Sequence, residues 1–285
     1  MGLGKENDKK ISFQGFHGAY SDMACREAFP KWETVPCNTF EDAFAAVQKG
    51  TTDLAMIPID NTLAGRVADV HHLMPKGKLF IIGEHFLKVQ HALLGVKGAK
   101  ITDLQHVHSH VHALPQCRKM IKELGLKSHV HFDTAGAAAE VAQKGDKAHA
   151  AIASTLAAKI YGLDVLRADV QDADHNTTRF VVLSRERKVP KYDRKTFFIT
   201  SFVFSVRSIP AALYKALGGF ATNGVDMIKL ESYVHPKFQV AEFYAEVIGH
   251  PEEDEFQLAM EELEFFADDV RILGTYQAHS HRTKK

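Results

Sequence analysis

Cysteine is scarce in this 285-residue chain: there are three, Cys25, Cys37 and Cys117. An odd number at these spacings builds neither a disulfide framework nor a CxxC zinc site, which fits a chain kept in the reduced cytoplasm. An excess of charge of one sign is missing too. Thirty-five basic and 35 acidic side chains cancel, so no field gathers nucleic acid or an anionic membrane. No apolar run approaches the ~18 residues of a membrane span, and the opening MGLGKENDKK has no signal-peptide core. A GxGxxG loop, a P-loop and a metal-spaced Cys/His set are also lacking, so the expectation is no cofactor and no metal. The partners left are a small molecule and further copies of the chain.

What is present is apolar sequence enough for real cores, 45% of the residues, in a length that favours two domains. From Ile11 to about Arg185, short apolar runs such as DLAMIPI, HALLGV, AHAAIA and RFVVLS alternate with helical patterns, the rhythm of an α/β domain. RERKVPKYDRKT then reads as a linker. Beyond it the order becomes strand, helix, strand, strand, helix, strand, the ferredoxin-like βαββαβ of an α+β domain. Phe256, Met260, Leu263 and Ala267 make one apolar helical stripe there, and Gly224 suits a left-handed helix stop. The expected boundaries are a tail over 1–10, a first domain over 11–187, a linker over 188–196, a second domain over 197–278 and a tail over 279–285.

In the first domain, small polar residues recur where a strand or loop is expected to turn into a helix: Ser21, Asn61 with Thr62, Ser109, Thr134 and Ser154. Each suits an N-cap. Several helix N-termini converging on one cleft would also hold an anion without net basic charge, so a carboxylate substrate fits.

Six ordered stretches sharpen this reading: QGFHGAYSDMA, IPIDNTLAGRVADVHHLM, HSHVHALPQC, DTAGAAAE, AAIASTLAAKIYGL and NTTRFVVLS. Together they resemble the successive signatures of the prephenate dehydratases, and the following βαββαβ segment resembles the ACT regulatory domain of that family. The resemblance covers about residues 11–276. It implies a two-lobed catalytic domain like a type II periplasmic binding protein, a C-terminal ACT domain, and conversion of prephenate to phenylpyruvate with loss of carbon dioxide and water. Thr178 is assigned the donor to the departing hydroxyl, with Arg179 and Phe180 beside it. Alternation on a strand would put Phe180 on the same face as Thr178, against the substrate ring, and Arg179 on the other, as a buried structural charge or a carboxylate clamp.

Asn61, Ser109 and Gln116 belong to the binding shell by the same resemblance, with Thr62, Ser21 and Thr134 as caps or braces near it. Ser109 and Gln116, seven apart on one expected helix, would share a face. L-Phenylalanine as effector would meet Ala211, Ala212 and Leu213 and then Glu231 and Ser232, where the family has Gly-Ala-Leu and Glu-Ser-Arg-Pro. A homodimer or tetramer is implied. Arogenate as substrate, and a non-catalytic receptor for small anions, are the other readings.

In QHVHSHVHAL, four histidines stand at alternate positions, His106 to His112. They would share a face only on a strand; a helix starting at Ser109 breaks the alternation and argues against a metal face.

Overall fold

In the computed structural model, residues 9–207, 209–234 and 241–283 are described. The chain divides into two compact units, 1–70 with 85–180 and 71–84 with 181–285. The N-terminal tail expected over 1–10 falls mostly outside the described residues.

The first sheet is built on β1 (Lys10–Gln14), β2 (Glu33–Cys37), β3 (Leu54–Asn61), β5 (Phe80–Lys88) and β11 (Thr177–Ser184), in the order β2-β1-β3-β11-β5. The two-residue β4 (Gly65–Arg66) folds back on the end of β3, pairing Asp60 with Arg66 and Asn61 with Gly65. Ile11, Phe13, Ile57 and Ile59 are fully buried, as expected of strands covered on both faces. The second sheet runs β10 (Asp164–Arg167), β6 (Ala92–Gly95), β9 (His149–Ala153), β7 (His106–His110), β8 (Lys127–His131). Its core includes Leu93, Val107, Cys117, Ala150 and Ile152.

Helices α1 (Tyr20–Ala28) and α2 (Phe40–Lys49) belong with the first sheet, and α4 (Arg118–Glu123), α5 (Thr134–Lys144) and α6 (Thr155–Tyr161) with the second; a short α3 (Ala68–Leu73) follows β4. Thr39 caps α2 by accepting from the Asp42 amide, and Gly50 ends it at φ 78°. Ser154 caps α6 as expected, accepting from the Ala157 amide. Four other expected caps are corrected. Asn61 ends β3 and Thr62 follows it, while α3 begins only at Ala68. Asp133, not Thr134, caps α5, its Oδ1 accepting from Ala135 and Gly136. Ser21 lies inside α1 and is buried. Ser109 is in β7, not at a helix start.

The segment after the linker carries β12 (Phe198–Val206), α7 (Ala212–Thr222), β13 (Met227–Val234), β14 (Ala241–Ile248), α8 (Asp254–Phe266) and β15 (Ala267–Gln277). That is βαββαβ, with the antiparallel order β13-β14-β12-β15. Phe202, Phe204, Phe220, Phe256, Met260 and Leu263 fill its core. Residues 279–283, read as a polar tail, hold α9 (Ser280–Thr283). Arg282 there grips the buried Glu84 with Nε and Nη2, at 2.8 and 3.1 Å.

Candidate active site

The ends of β3 and β11 lie side by side, and the chemistry starts there. Thr62 Oγ1 donates to the His175 carbonyl at 2.6 Å and accepts the Thr177 amide at 2.9 Å. Both of its functions are spent on holding the start of β11. Thr62 thus braces the start of β11.

Asn61 sets the orientation of everything near it. Its Oδ1 accepts the backbone amides of Leu63 and Ala64, at 2.9 and 2.8 Å. Backbone N–H groups can only donate, so the oxygen and nitrogen of this amide cannot be exchanged. Nδ2 must then face the other way, where it donates to Thr178 Oγ1 at 2.9 Å and to Asn176 Oδ1 at 2.8 Å. The consequence for Thr178 is direct. Its oxygen receives a hydrogen bond, which leaves its own proton to be given.

The assignment propagates. With Asn176 Oδ1 accepting, its Nδ2 donates to Gln116 Oε1 at 2.7 Å. His91 Nε2 meets the same oxygen at 2.9 Å, so this nitrogen carries the proton. Tyr20 then gives its hydroxyl proton to His91 Nδ1 at 2.7 Å, with the Gln90 carbonyl as a second acceptor at 2.9 Å. Burial, more than the opposing bond to Gln116, lowers the His91 pKa and keeps the ring neutral. Burial, and then the Cys117 thiol, hold the Tyr20 phenol well above its usual range. Two donors converging on Gln116 Oε1 fix the amide so that its NH2 points away from Asn176 and His91.

Beside this chain opens a cavity of ≈ 620 Å³ whose lining includes Gln14, Asn61, Arg66, His110, His112 and Phe132. Arg66 supplies a cation and Phe132, 54% exposed, an apolar face. Neither stands among the residues singled out from the sequence, nor do His91, Tyr20 and Asn176. Asn176 and Arg66 sit inside quoted motifs, so position was the available signal; His91 lay in a run read only as a strand.

The other expected site residues go elsewhere. Ser109 is fully buried and donates to the Ile152 carbonyl at 2.6 Å, so it holds β7 to β9 and is not offered to a ligand. Gln116 lies in a 3-10 turn, Leu114–Cys117; the helical face expected to join it to Ser109 does not exist. Phe180 is 1% exposed, packed in the core rather than presented to a ring. Arg179 is buried with Nη1 3.5 Å from Asp60 Oδ2, the structural-charge alternative. Thr134 is the first residue of α5 and half-buried, and Ser21 is covered.

The QGFHGAYSDMA stretch builds the loop that carries Tyr20. Gly18 has φ +90°, and a Cβ there would stand 2.7 Å from Ala157 Cα. Only glycine permits that approach to α6. Asp22, fully buried, accepts from the Gly18 amide and from Arg26 Nε, which makes it a loop and helix tie.

In the second unit, Ala211 takes φ 59°, the left-handed region, directly before α7. Ala212 is buried and Leu213 packs on the core. Lys229 Nζ lies 3.8 Å from Glu231 Oε1 on β13, next to Ser232, which pairs with Phe243. These two groups of residues are on separate elements.

Comparison with known proteins gives a consistent family. The family described as Prephenate dehydratase matches residues 11–188. A bifunctional N-acyl-homoserine lactone acylase/prephenate dehydratase of Komagataeibacter europaeus is 49% identical over 97% of this chain and 99% of its own. The chloroplastic arogenate dehydratase/prephenate dehydratase 2 of Arabidopsis thaliana is 40% identical, covering 94% of this chain and 72% of its own. Among solved structures, a prephenate dehydratase from Arthrobacter aurescens in complex with L-Phe superposes with a TM-score of 0.87 at 27% identity, over 96% of this chain and 91% of that one.

Proposed function

Because the chain belongs to the prephenate dehydratase family, we propose that it converts prephenate to phenylpyruvate on a two-lobed domain of the type II periplasmic-binding kind, using Thr178 as donor. In this reaction the bond from the ring to its carboxylate breaks and leaves as carbon dioxide. The electron pair re-forms the aromatic ring and expels the hydroxyl, which takes up a proton and leaves as water. Charge builds on the departing oxygen only as the bond stretches. A donor already aimed there lowers the barrier without tightening the ground state.

The observation that carries this reading is the bond from Asn61 Nδ2 to Thr178 Oγ1. It fixes which way the hydroxyl proton can go, and it polarises the O–H by hydrogen-bond cooperativity. Gln116, its oxygen doubly held, offers its NH2 to a carbonyl or carboxylate, and Arg66 lines the adjoining cavity as a counter-charge for a dicarboxylate.

We assign the βαββαβ segment as an ACT domain that takes L-phenylalanine as effector through 211–213 and 231–232. The left-handed Ala211 supports this, because its backbone adopts the conformation that the family's glycine takes without cost. A cytoplasmic homodimer or tetramer accompanies this reading.

Two relatives supply second substrates. The plant relative bears both substrate names, and arogenate differs from prephenate by an ammonium in place of a carbonyl, away from Thr178. The bifunctional relative adds acyl-homoserine lactones. An acylase needs an activated nucleophile, and here burial pushes the thiols of Cys25, Cys37 and Cys117 up, Cys117 to about 12. Ser109 and Ser154 are buried and committed to carbonyls.

The test is product analysis with purified protein and each of prephenate, arogenate and an N-acyl-homoserine lactone, with and without L-phenylalanine. Phenylpyruvate from prephenate is expected. Turnover of neither prephenate nor arogenate contradicts the reading.

A further inference from the structure

Ser109 lies on a strand, so His106, His108 and His110 do share a face, while His112 lies beyond the strand's end. β7 pairs in parallel with β8 on one side, His108 opposite His129, and with β9 on the other, His106 opposite His149. Three adjacent strands thus bring four imidazoles together. Their rings form a closed square. His106 stacks on His149 at 4.6 Å between centroids and His108 on His129 at 4.8 Å. The other two sides are 5.0 Å for His106 to His129 and 5.1 Å for His108 to His149.

Those same two sides carry hydrogen bonds, His106 Nδ1 to His129 Nε2 at 3.0 Å and His108 Nε2 to His149 Nδ1 at 2.8 Å. In the present ring orientations no three histidine, cysteine or acidic side chains among the described residues are already set to hold an ion. The spacing of the rings is nonetheless that of a metal site. Imidazoles bound at about 2.0–2.1 Å around a tetrahedral or square ion have neighbouring centroids roughly 4.5–5.3 Å apart. All four sides fall in that interval, the spacing required of a site that would form by rotation about the side-chain bonds.

We propose that His106, His108, His129 and His149 form a binding site for one divalent transition-metal ion of the zinc, nickel or copper class. Imidazole nitrogen suits these ions, whereas calcium and magnesium take oxygen ligands. The ion replaces the two hydrogen bonds: each ring that now donates moves its proton to its outer nitrogen by exchange with water, and its inner lone pair binds.

One ring already shows the arrangement a ligand needs. Lys144 Nζ lies 3.4 Å from His149 Nδ1, so that nitrogen accepts, and His149 Nε2 carries the proton toward Asp146 Oδ2 at 3.8 Å. A carboxylate behind the ring is the usual outer partner of a metal-bound histidine.

Burial, then His129 and His149, lower the His108 pKa to about 4, and burial, Lys144 and His106 lower that of His149. The charged groups that face the square are Lys144 and Glu140 on α5 and Asp146 after it; Lys127 is the strand partner of His106. Lys144 alone opposes the ion by standing on a ligand nitrogen.

The experiment is calorimetric titration of the tag-free, full-length protein with Zn2+ and with Ni2+ at about pH 7.5, above the ordinary imidazole range. Saturable binding of one ion per chain is expected. His106→Ala with His108→Ala should weaken it by more than the roughly 10- to 100-fold that an outer partner alone carries, and Lys144→Met should tighten it. Should the double variant fail to fold, His129→Ala on the exposed strand β8 serves instead. Cu2+ bound to the wild type should show at least three equivalent nitrogens by electron paramagnetic resonance. Absence of saturable binding by the wild type, or binding undiminished in the histidine variants, overturns the proposal.

Discussion

Two hydrogen-bonded networks lie in the same unit and are made from opposite materials. The chain from Thr178 through Asn61, Asn176 and Gln116 is mostly amide, and each amide has a donor end and an acceptor end that cannot exchange roles. The square of His106, His108, His129 and His149 is imidazole, in which either nitrogen can donate or accept. An amide chain fixed at one end by the Leu63 and Ala64 amides aims a proton, and does so across the pH range. An imidazole square aims nothing permanently; it answers to protons and to metals. Function follows from which material the sequence places where.

The largest expected effect breaks the amide chain at its working end. Thr178→Ala should lower the turnover of prephenate by about 100-fold or more, the scale of one lost transition-state donor, with substrate binding changed much less. Steady-state rates with the wild type as reference read this directly; a near wild-type rate would remove Thr178 from its role.

A smaller effect is expected at the far end. His91→Leu should lower turnover by roughly 10-fold, because Gln116 keeps one of its two donors, and His91→Gln, whose amide nitrogen can stand where Nε2 stood, should recover part of it. Equal losses in both variants would make His91 a packing residue only.

The imidazole square is sharpened by acid. His108 has a folded pKa of about 4 against an ordinary 6.5. Between those values the unfolded chain binds a proton that the folded chain refuses, so stability falls as pH drops through this window and is fully present above it. Thermal melting from pH 7 to pH 5 should show a falling midpoint, and His108→Asn should flatten the slope. A slope unaltered by that substitution would assign it to other groups.

The smallest effect lies outside both networks. Ala211→Gly should raise stability by about 0.5–1 kcal/mol, relieving a left-handed alanine, net of glycine's extra chain entropy. Chemical denaturation measures it.

Much of this was legible beforehand. Apolar runs bounded by turn residues gave most strands, and the 3.6-residue stripe of Phe256, Met260 and Leu263 is buried in α8. Asn61 and Thr178 lie within hydrogen-bonding distance although 117 residues apart. Failure came where one residue type serves two purposes. Serine caps helices and also braces strands, and at Ser109 the cap was preferred over the period-two alternation of the flanking histidines, which was the true strand signal. At α5 the same ambiguity between Asp133 and Thr134 fell the wrong way by one position. The resemblance points to Phe180 and strand parity puts it on the face of Thr178, but parity says nothing of whether a face meets solvent or a second layer. His91 acts through Tyr20 and Gln116, far away in sequence, and no local pattern announces such partners.

The central claim is that Asn61 aims Thr178, and a double-mutant cycle tests it most directly. Asn61→Asp keeps an oxygen for the Leu63 and Ala64 amides but removes the donor to Thr178, so it should cost turnover in the wild type and almost nothing further in a Thr178→Val background. Fully additive losses in the double variant would contradict the account.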